Sequence, residues 1–260
     1  MGKPPVCLTI AGLDPSGGAG IIADIKTFSA FGCFAAAAVA SITFQNTTGV
    51  FGSEHQSAAS VRKQVAPVID DYDVAAIKTG MLPTREVIDE VAKIVRELAD
   101  VKLVVDPVVR STSGFDLIDD AALSSLIEFL FPLADLVTPN LPEAERITSL
   151  TIRSQDDVRA AAKSMQTMGA RAVLIKGGHA ASMKAVDYLF VGDEVHVFEE
   201  DLIETTATHG TGCTLAAAVT ANLALGKDIV EAVRIAKEFV TRAIRTAPML
   251  GHGHSPINIS

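Results

Sequence analysis

The sequence is poor in cysteine and in basic residues, and it has no long apolar run; each shortage excludes a class of protein. The three cysteines, Cys7, Cys33 and Cys213, are odd in number and lack metal-site spacing, which favours a reduced, cytoplasmic compartment. The formal net charge is −9 and Lys and Arg do not cluster, so we expect no binding to nucleic acid or anionic membrane by charge. No apolar run reaches the roughly 18 residues that a membrane span needs.

Linkers, low-complexity tracts and internal repeats are also missing from the 260 residues. The first residues lead directly into a strand-like run without the features of a signal peptide, so we expect a soluble, cytoplasmic protein. A hydrophobic content of 48% and a charged content of 20% are typical of a folded enzyme and argue against disorder. We therefore predict one domain over residues 1–260.

Short apolar runs alternate with segments of helical periodicity along most of the chain. Such alternation predicts an α/β fold with a mostly parallel central sheet and helices on both faces. Two alternating runs around Gly192 and Asp193 predict a hairpin, and residues 45–49 predict a polar turn. The predicted strands cover residues 6–11, 42–44, 74–78, 102–108, 136–138 and 172–176. The predicted helices cover residues 21–31, 58–69, 85–98, 117–131 and 154–168, with one more opening at Pro142 and two near the C-terminus.

Residues 208–214 predict an anion-binding turn. Gly210 and Gly212 precede an Ala-rich segment of strong helix propensity, so unpaired backbone N–H groups are expected at the start of a helix. Phosphate binds well at such a terminus. Cys213 lies in the same turn, where a helix N-terminus can lower a thiol pKa and provide a base. The turn therefore predicts a phosphoryl-transfer site.

Polar residues follow the predicted strands at their carboxyl ends, where ligands bind in α/β sheets. Phosphoryl transfer needs amides and a cation for the oxyanions, and acids for Mg²⁺. Two carboxylates, Asp106 and Glu143, suffice for magnesium. A Walker A loop is excluded, because Gly18 and Ala19 stand where that motif needs Lys and then Ser or Thr. The strand-end residues are Asp14, Gln45, Lys78, Asp106, Asn140, Glu143 and Lys176.

Each candidate also has a purely structural interpretation. Asp106 before Pro107 can cap a turn, Glu143 can be a first-turn acid, and Lys176 can be a surface lysine. Gln45 can satisfy backbone groups of its own turn. A lone cysteine near a helix, such as Cys213, is most often a small core residue, and His209 is likewise more often structural. The grouping of these residues at strand ends, rather than any one of them, favours phosphoryl transfer.

Eight segments in order along the chain resemble the hydroxymethylpyrimidine/phosphomethylpyrimidine kinases of thiamine biosynthesis. The resemblance implies the ribokinase-like fold, a three-layer α/β sandwich, with dependence on ATP and Mg²⁺ and commonly a homodimer. It also implies phosphorylation of the hydroxymethyl group of 4-amino-5-hydroxymethyl-2-methylpyrimidine, and then of its monophosphate. The segments are residues 12–20, 45–47, 78–81, 105–108, 138–144, 176–179, 208–213 and 251–254.

The resemblance also implies roles for individual residues. Cys213 stands where other ribokinase-like kinases carry an aspartate base, and this subfamily carries a cysteine. Asp106 and Glu143 resemble the acids near magnesium and phosphate. The expected anion hole is Gly210, Thr211 and Gly212; the expected nucleotide-phosphate contacts are Asn140, Lys176 and Thr208; and the expected pyrimidine contacts are Gly12, Asp24, Gln45, Met81 and Val108.

Residues 109–114 depart from the commonest family form. Many family members carry a lysine in this loop that is missing here, and Arg110 stands two positions before the place of that lysine. Either Arg110 replaces the lysine or the second phosphorylation is weaker. Two other functions also remain open. A pyridoxal or pyridoxine kinase on the same fold is the nearest alternative, because its substrate is also a flat ring with a hydroxymethyl group. A nucleotide-binding regulator without catalysis is the alternative from another class.

Overall fold

One sheet organises the computed structural model, which describes residues 2–98, 100–109, 117–177 and 184–259. The described strands form a nine-stranded sheet of order β3-β2-β1-β4-β5-β6-β7-β8-β9. Pairing is parallel from β2 to β7 and antiparallel at both edges, which confirms the predicted mostly parallel sheet. The strands are β1 Val6–Leu13, β2 Phe34–Asn46, β3 Gly49–His55, β4 Val74–Thr79, β5 Lys102–Val105, β6 Leu136–Val137, β7 Ala172–Lys176, β8 Lys184–Val191 and β9 Glu194–Asp201.

Helices cover both faces of the sheet because successive strand residues are buried on opposite sides. On β5, Leu103 and Val105 join the core under α2 to α6, whereas Val104 joins the core under α7 and α8. Among the described residues, no helix combines the length and apolarity that crossing a membrane requires. The helices are α1 Gly20–Ala30, α2 Ala58–Asp71, α3 Arg85–Glu97, α4 Asp120–Ser125, α5 Leu141–Thr148, α6 Gln155–Thr167, α7 Thr211–Ala224 and α8 Ile229–Arg245.

The β2–β3 hairpin is the main departure from the sequence prediction. Residues 34–46 form one continuous strand, and β3, which the sequence analysis missed, pairs antiparallel with it. As an edge strand, β3 buries little, and Phe51 is 70% exposed, so its residues carry no periodic apolar signal. The predicted hairpin at Gly192 is confirmed.

The predicted helix over residues 117–131 is shorter and irregular. Asp119 caps α4, which passes into a π-helical turn, Leu126–Leu130, and a 3₁₀ turn, Phe131–Leu133. Pro132 explains the change, because proline lacks an N–H and its ring clashes with the carbonyl four residues earlier in an α-helix.

The strand order places a crevice beside β1. From β1 the chain passes to β2 on one side and later returns to β4 on the other side, so the connections leave in opposite directions there. Ligands bind at such a switch point, outside the carboxyl ends of the strands. The parallel strands from β2 to β7 all end at this edge of the sheet, which brings their following loops together.

Candidate active site

The turn before α7 has the geometry of an anion-binding site. Gly210 precedes the helix with a φ of +84°, and a Cβ atom added there would lie 1.8 Å from the carbonyl oxygen of Gly18. The carbonyl oxygen of Thr208 accepts hydrogen bonds from the backbone N–H and the hydroxyl of Thr211. The N–H groups of Gly212 and Cys213 lie in the first helical turn, where no intrahelical acceptor is available. They therefore offer donors to an anion.

A lysine and an aspartate from the ends of β7 and β5, on either side of β6, meet beside this turn. Lys176 Nζ, at the end of β7, lies 3.2 Å from Asp106 Oδ1, just after β5. The Thr138 hydroxyl, which the sequence analysis did not single out, donates to the same oxygen at 3.0 Å. A Cβ atom added to Gly212 would lie 3.2 Å from Lys176 Nζ, so this cation adjoins the anion-binding turn.

Glu143 and Asn140 form a capping box at the start of α5. Asn140 Oδ1 accepts from the Glu143 N–H, and Glu143 Oε2 accepts from the Asn140 N–H, each at 2.8 Å. Burial raises the pKa of Glu143 to about 7; the Lys176 charge opposes the rise and the Asp106 charge adds to it. Glu143 is thus both a first-turn acid, as its structural interpretation has it, and an electrostatic neighbour of the Asp106–Lys176 pair.

Four of the five residues expected to contact a pyrimidine lie at or just after the ends of β1, β2, β4 and β5; the fifth, Asp24, lies in α1. Gly12 adjoins Met81, since a Cβ atom on the glycine would lie 3.1 Å from the methionine sulfur. Gln45 Nε2 donates to the Thr43 hydroxyl, which in turn donates to the carbonyl oxygen of Leu13. Val108 lies partly exposed after Asp106. The β2 end is thereby tied to the β1 end.

Asp24 lies deeper than the other expected pyrimidine contacts. Its Oδ2 accepts from Lys78 Nζ at 3.0 Å and from the Thr9 hydroxyl at 2.6 Å, and both charged side chains are fully buried. Burial alone would lower the pKa of Lys78, but the negative charges of Asp24 and Asp106 hold it above its ordinary value. Asp24 Oδ1 is buried without a hydrogen-bond partner among the described residues.

The Cys213 thiol does not have the lowered pKa that the sequence analysis expected. Burial raises its pKa to about 11; the Lys78 charge lowers it, and the charges of Asp106 and Asp24 raise it. The expectation was wrong because it weighed the helix terminus and not burial, to which the charges of Asp106 and Asp24 add. The thiol is therefore neutral at physiological pH.

We expect alkylation of Cys213 to report this raised pKa. Because the thiolate is the nucleophile, the rate with iodoacetamide should rise about tenfold per pH unit from pH 7 to 10 without a plateau. Peptide mass spectrometry would separate Cys213 from the buried Cys7 and Cys33, which serve as internal controls. A rate that levels off below pH 8 would contradict the neutral thiol.

Part of the predicted site lies outside the described residues, and the predicted metal site has only two carboxylates within them. Arg110, with the departing loop after it, and Gly178 and His179 are outside the described ranges. Within those ranges, no group of three or more His, Cys, Asp or Glu side chains gathers to hold a metal ion. Asp106 and Glu143 still fit magnesium, which one or two carboxylates and substrate phosphates usually hold. Their mutual repulsion, which raises the Glu143 pKa, is what a divalent cation relieves.

Comparisons with known proteins show which family the chain resembles. The sequence model of the phosphomethylpyrimidine kinase family matches residues 14–258. A hydroxymethylpyrimidine/phosphomethylpyrimidine kinase of Staphylococcus aureus (strain Mu50 / ATCC 700699) is 42% identical over 260 residues, which cover 99% of this chain and 94% of that protein. The thiamine biosynthesis bifunctional protein ThiED of Geobacter sulfurreducens is 45% identical over 251 residues, 96% of this chain and 51% of that longer protein.

A solved structure of a pyridoxal kinase, rather than a pyrimidine kinase, is similar over the whole fold. The crystal structure of an ADP complex of Bacillus subtilis pyridoxal kinase has a TM-score of 0.91 and 38% identity, covering 99% of this chain and 98% of that chain. Similarity of fold alone therefore does not choose between the two ring substrates, and the pocket residues have to be tested directly.

Proposed function

The chain belongs to the phosphomethylpyrimidine kinase family, and we propose that it is the ATP-dependent kinase of thiamine biosynthesis that phosphorylates 4-amino-5-hydroxymethyl-2-methylpyrimidine and then its monophosphate. One observation carries this proposal: Lys176 Nζ lies 3.2 Å from Asp106 and adjoins the anion-binding turn at Gly212. A cation, an acid and free N–H donors thus meet where strand ends and a helix N-terminus converge.

The turn and the lysine stabilise the transferring phosphoryl group. Its equatorial oxygens carry the charge of the transition state, and backbone donors already fixed in place stabilise that charge without reorganising. Gly210, Thr211 and Gly212 form this anion hole together with the Cys213 N–H. The free donors are those of Gly212 and Cys213, because the Thr211 N–H is bonded to Thr208, and Lys176 adds a positive charge at the edge. Thr208 and Asn140, on the flanking loops, contact the phosphates of the nucleotide.

Asp106 and Glu143 would hold Mg²⁺ with the phosphates of ATP. When bound, the ion would supply positive charge that offsets the negative charge of the phosphates. Thr138 and Lys176 keep Asp106 oriented, and the capping box keeps Glu143 oriented. Because the pKa of Glu143 is raised to about 7, the ionised form that a metal needs grows as the pH rises through neutrality.

The pyrimidine ring lies against Gly12, Gln45, Met81 and Val108 in this proposal. Gly12 has no side chain, and Met81 packs against it there. The two residues therefore offer a flat ring one continuous surface. Asp24 is fully buried beneath this surface, so its neighbours have to move before it contacts the ring. Its unpartnered Oδ1 is then an acceptor for the 4-amino group of the pyrimidine, which is a hydrogen-bond donor.

Cys213 acts as a neutral thiol that orients the attacking hydroxyl group by hydrogen bonding. The new O–P bond forms as the bond to ADP breaks, and the hydroxyl proton leaves late, to an oxygen of the transferred phosphoryl group. A loose phosphoryl-transfer transition state needs little early deprotonation, so a group with a raised pKa is compatible with the role. Transfer to the phosphate oxygen of the monophosphate, the second step, needs no strong base.

We expect Cys213→Ala to lower kcat by about 10²-fold, because the attacking hydroxyl group loses the side chain that orients it. ATP affinity, measured by calorimetric titration, should stay within about twofold, because the backbone donors remain. Cys213→Ser is the matched control, since its hydroxyl keeps an acceptor and should restore part of kcat. Unchanged turnover in the alanine variant would make Cys213 a packing residue.

A coupled ATPase assay on the pyrimidine alcohol and on pyridoxal tests the proposed substrate. We expect a higher kcat/KM for the pyrimidine, because Gln45 and Met81 contact the ring and the phosphate cradle does not. The Bacillus subtilis pyridoxal kinase keeps the alternative open. Much faster turnover of pyridoxal would overturn the pyrimidine assignment.

Product analysis after long incubation tests the second step and the regulator alternative. Diphosphate is the expected final product, and accumulation of monophosphate alone would show that the departing loop at Arg110 weakens the second transfer. Binding of ATP and pyrimidine without any product would favour a non-catalytic regulator.

Domain organisation, oligomeric state and location are also part of the proposal. We propose that residues 1–260 act as one kinase domain, which the single sheet formed by the described residues supports. We further propose a homodimer in the cytoplasm, as the family resemblance implies. Sedimentation of the purified protein tests the dimer.

A further inference from the structure

Two residues without a role in phosphoryl transfer so far, Asp14 and His209, form a buried pair. His209 Nε2 donates to Asp14 Oδ2 at 2.7 Å across 195 positions of sequence. Asp14 is 1% exposed and His209 is 8% exposed. Asp14 lies in the glycine-rich loop after β1, and His209 immediately precedes the anion hole, so the pair connects these two parts of the site.

The carboxylate of Asp14 also organises its own loop. Oδ1 accepts from the backbone N–H and the hydroxyl of Ser16, and Oδ2 accepts from the N–H of Ala19, the residue that caps α1. Burial would raise the pKa of Asp14, but the hydrogen bonds from His209 and Ser16 hold it below its ordinary value, so Asp14 stays ionised. A charged acceptor makes these bonds about twice as strong as neutral ones.

The glycine-rich loop after β1 and the turn before α7 pack closely at Gly18 and Gly210. A Cβ atom on Gly18 would lie 2.4 Å from Cδ2 of the His209 ring, and one on Gly210 would lie 1.8 Å from the Gly18 oxygen. The backbone N–H of His209 donates to the carbonyl of Ser255, which holds its other side. The His209 ring therefore packs against the Gly18 backbone, while the His209 backbone is held by Ser255.

We infer that His209, held by Asp14, is the positioning residue that fixes the anion hole against the glycine-rich loop. The left-handed conformation of Gly210 follows His209 directly, so a rotation of His209 redirects the N–H groups of Gly212 and Cys213. Misplacement of about 1 Å in an active site costs about 10²-fold in rate. This inference rests on the proposed phosphoryl transfer.

A pair of amide variants tests the hydrogen bond. The Nε2 of glutamine stands as many bonds from Cα as the Nε2 of histidine, whereas the asparagine amide is one bond shorter. We expect His209→Asn to lower kcat about 10²-fold, with KM for the pyrimidine within about threefold, and His209→Gln to stay within about fivefold of wild type. His196→Ala, on β9, is the control and should not change kcat.

A loss of activity from general destabilisation would affect both amide variants alike. Equal kcat in wild type, Asn and Gln variants, or an equal fall in both variants, overturns the inference. Recovery in the Gln variant alone supports it.

Hydrogen exchange provides a measurement that needs no substrate. The amides of Thr211 and Thr214, bonded to Thr208 and Gly210, should exchange faster in the Asn variant than in wild type or the Gln variant. If wild type phosphorylates neither alcohol, the proposed function fails, and this exchange difference still supports the positioning role. Equal exchange in all three proteins overturns it.

Discussion

Replacing Gly210 with alanine is expected to lower kcat by about 10³-fold, the upper range for losing an oxyanion-hole donor. The new Cβ atom would lie 1.8 Å from the Gly18 carbonyl oxygen, so the two loops have to separate. The φ of +84° adds strain for any side chain. Because the turn before α7 is pushed away from the glycine-rich loop, its N–H donors no longer point at the transferring phosphoryl group. Steady-state kinetics with saturating ATP would measure the effect.

Gly226→Ala separates the clash from the backbone strain. Gly226 has a φ of +80°, but nothing lies within 4 Å of the position that its Cβ atom would occupy. It follows the far end of α7, so the variant should unfold at a lower temperature and keep kcat within about twofold, because the left-handed conformation costs about 1–2 kcal/mol. A folded Gly210→Ala variant with the turnover of Gly226→Ala would show that the turn is not the anion hole.

The sheet was predictable because local patterns and tertiary structure agree there. Strands β1, β4, β5 and β7 are covered on both faces, so each appears in the sequence as a short apolar run, and Gly or Pro marks many of their ends. Strand β3 lies at an edge with Phe51 exposed, and no burial pattern distinguishes its residues from a loop. Its pairing depends on β2, not on its own composition.

Properties set by neighbours distant in sequence could not be predicted. The turn residues predicted a lowered thiol pKa for Cys213, yet Lys78, Asp24 and Asp106 arrive from other elements, and burial outweighs the helix terminus. The Asp24–Lys78 contact spans 54 positions and the Asp14–His209 contact spans 195. Residue types at strand ends indicate which chemistry is available, and only the fold decides which charges face each other.

Lys176→Met is expected to lower kcat/KM for ATP by about 10³-fold, which corresponds to about 4 kcal/mol of transition-state stabilisation. Methionine keeps much of the side-chain length and removes the charge. Asp106 would then lose the cation 3.2 Å away, and the buried Glu143 would lose the charge that lowers its pKa. Without the lysine charge, Asp106 and Glu143 repel the phosphates that bind at the turn before α7. Lys163→Met, at an exposed lysine paired with Asp193, is the control and should remain within about twofold.

The division of the Lys176→Met effect between kcat and KM identifies when the lysine acts. A fall in kcat with little change in KM means that its charge acts mainly in the transition state, as its position beside Gly212 predicts. A rise in KM alone means uniform binding of ATP, and the anion hole then stabilises the transferring group without it. If Lys176→Met and Lys163→Met have the same kcat/KM, the juxtaposition of Lys176, Asp106 and the turn is structural, and the observation that carries the proposed function is lost.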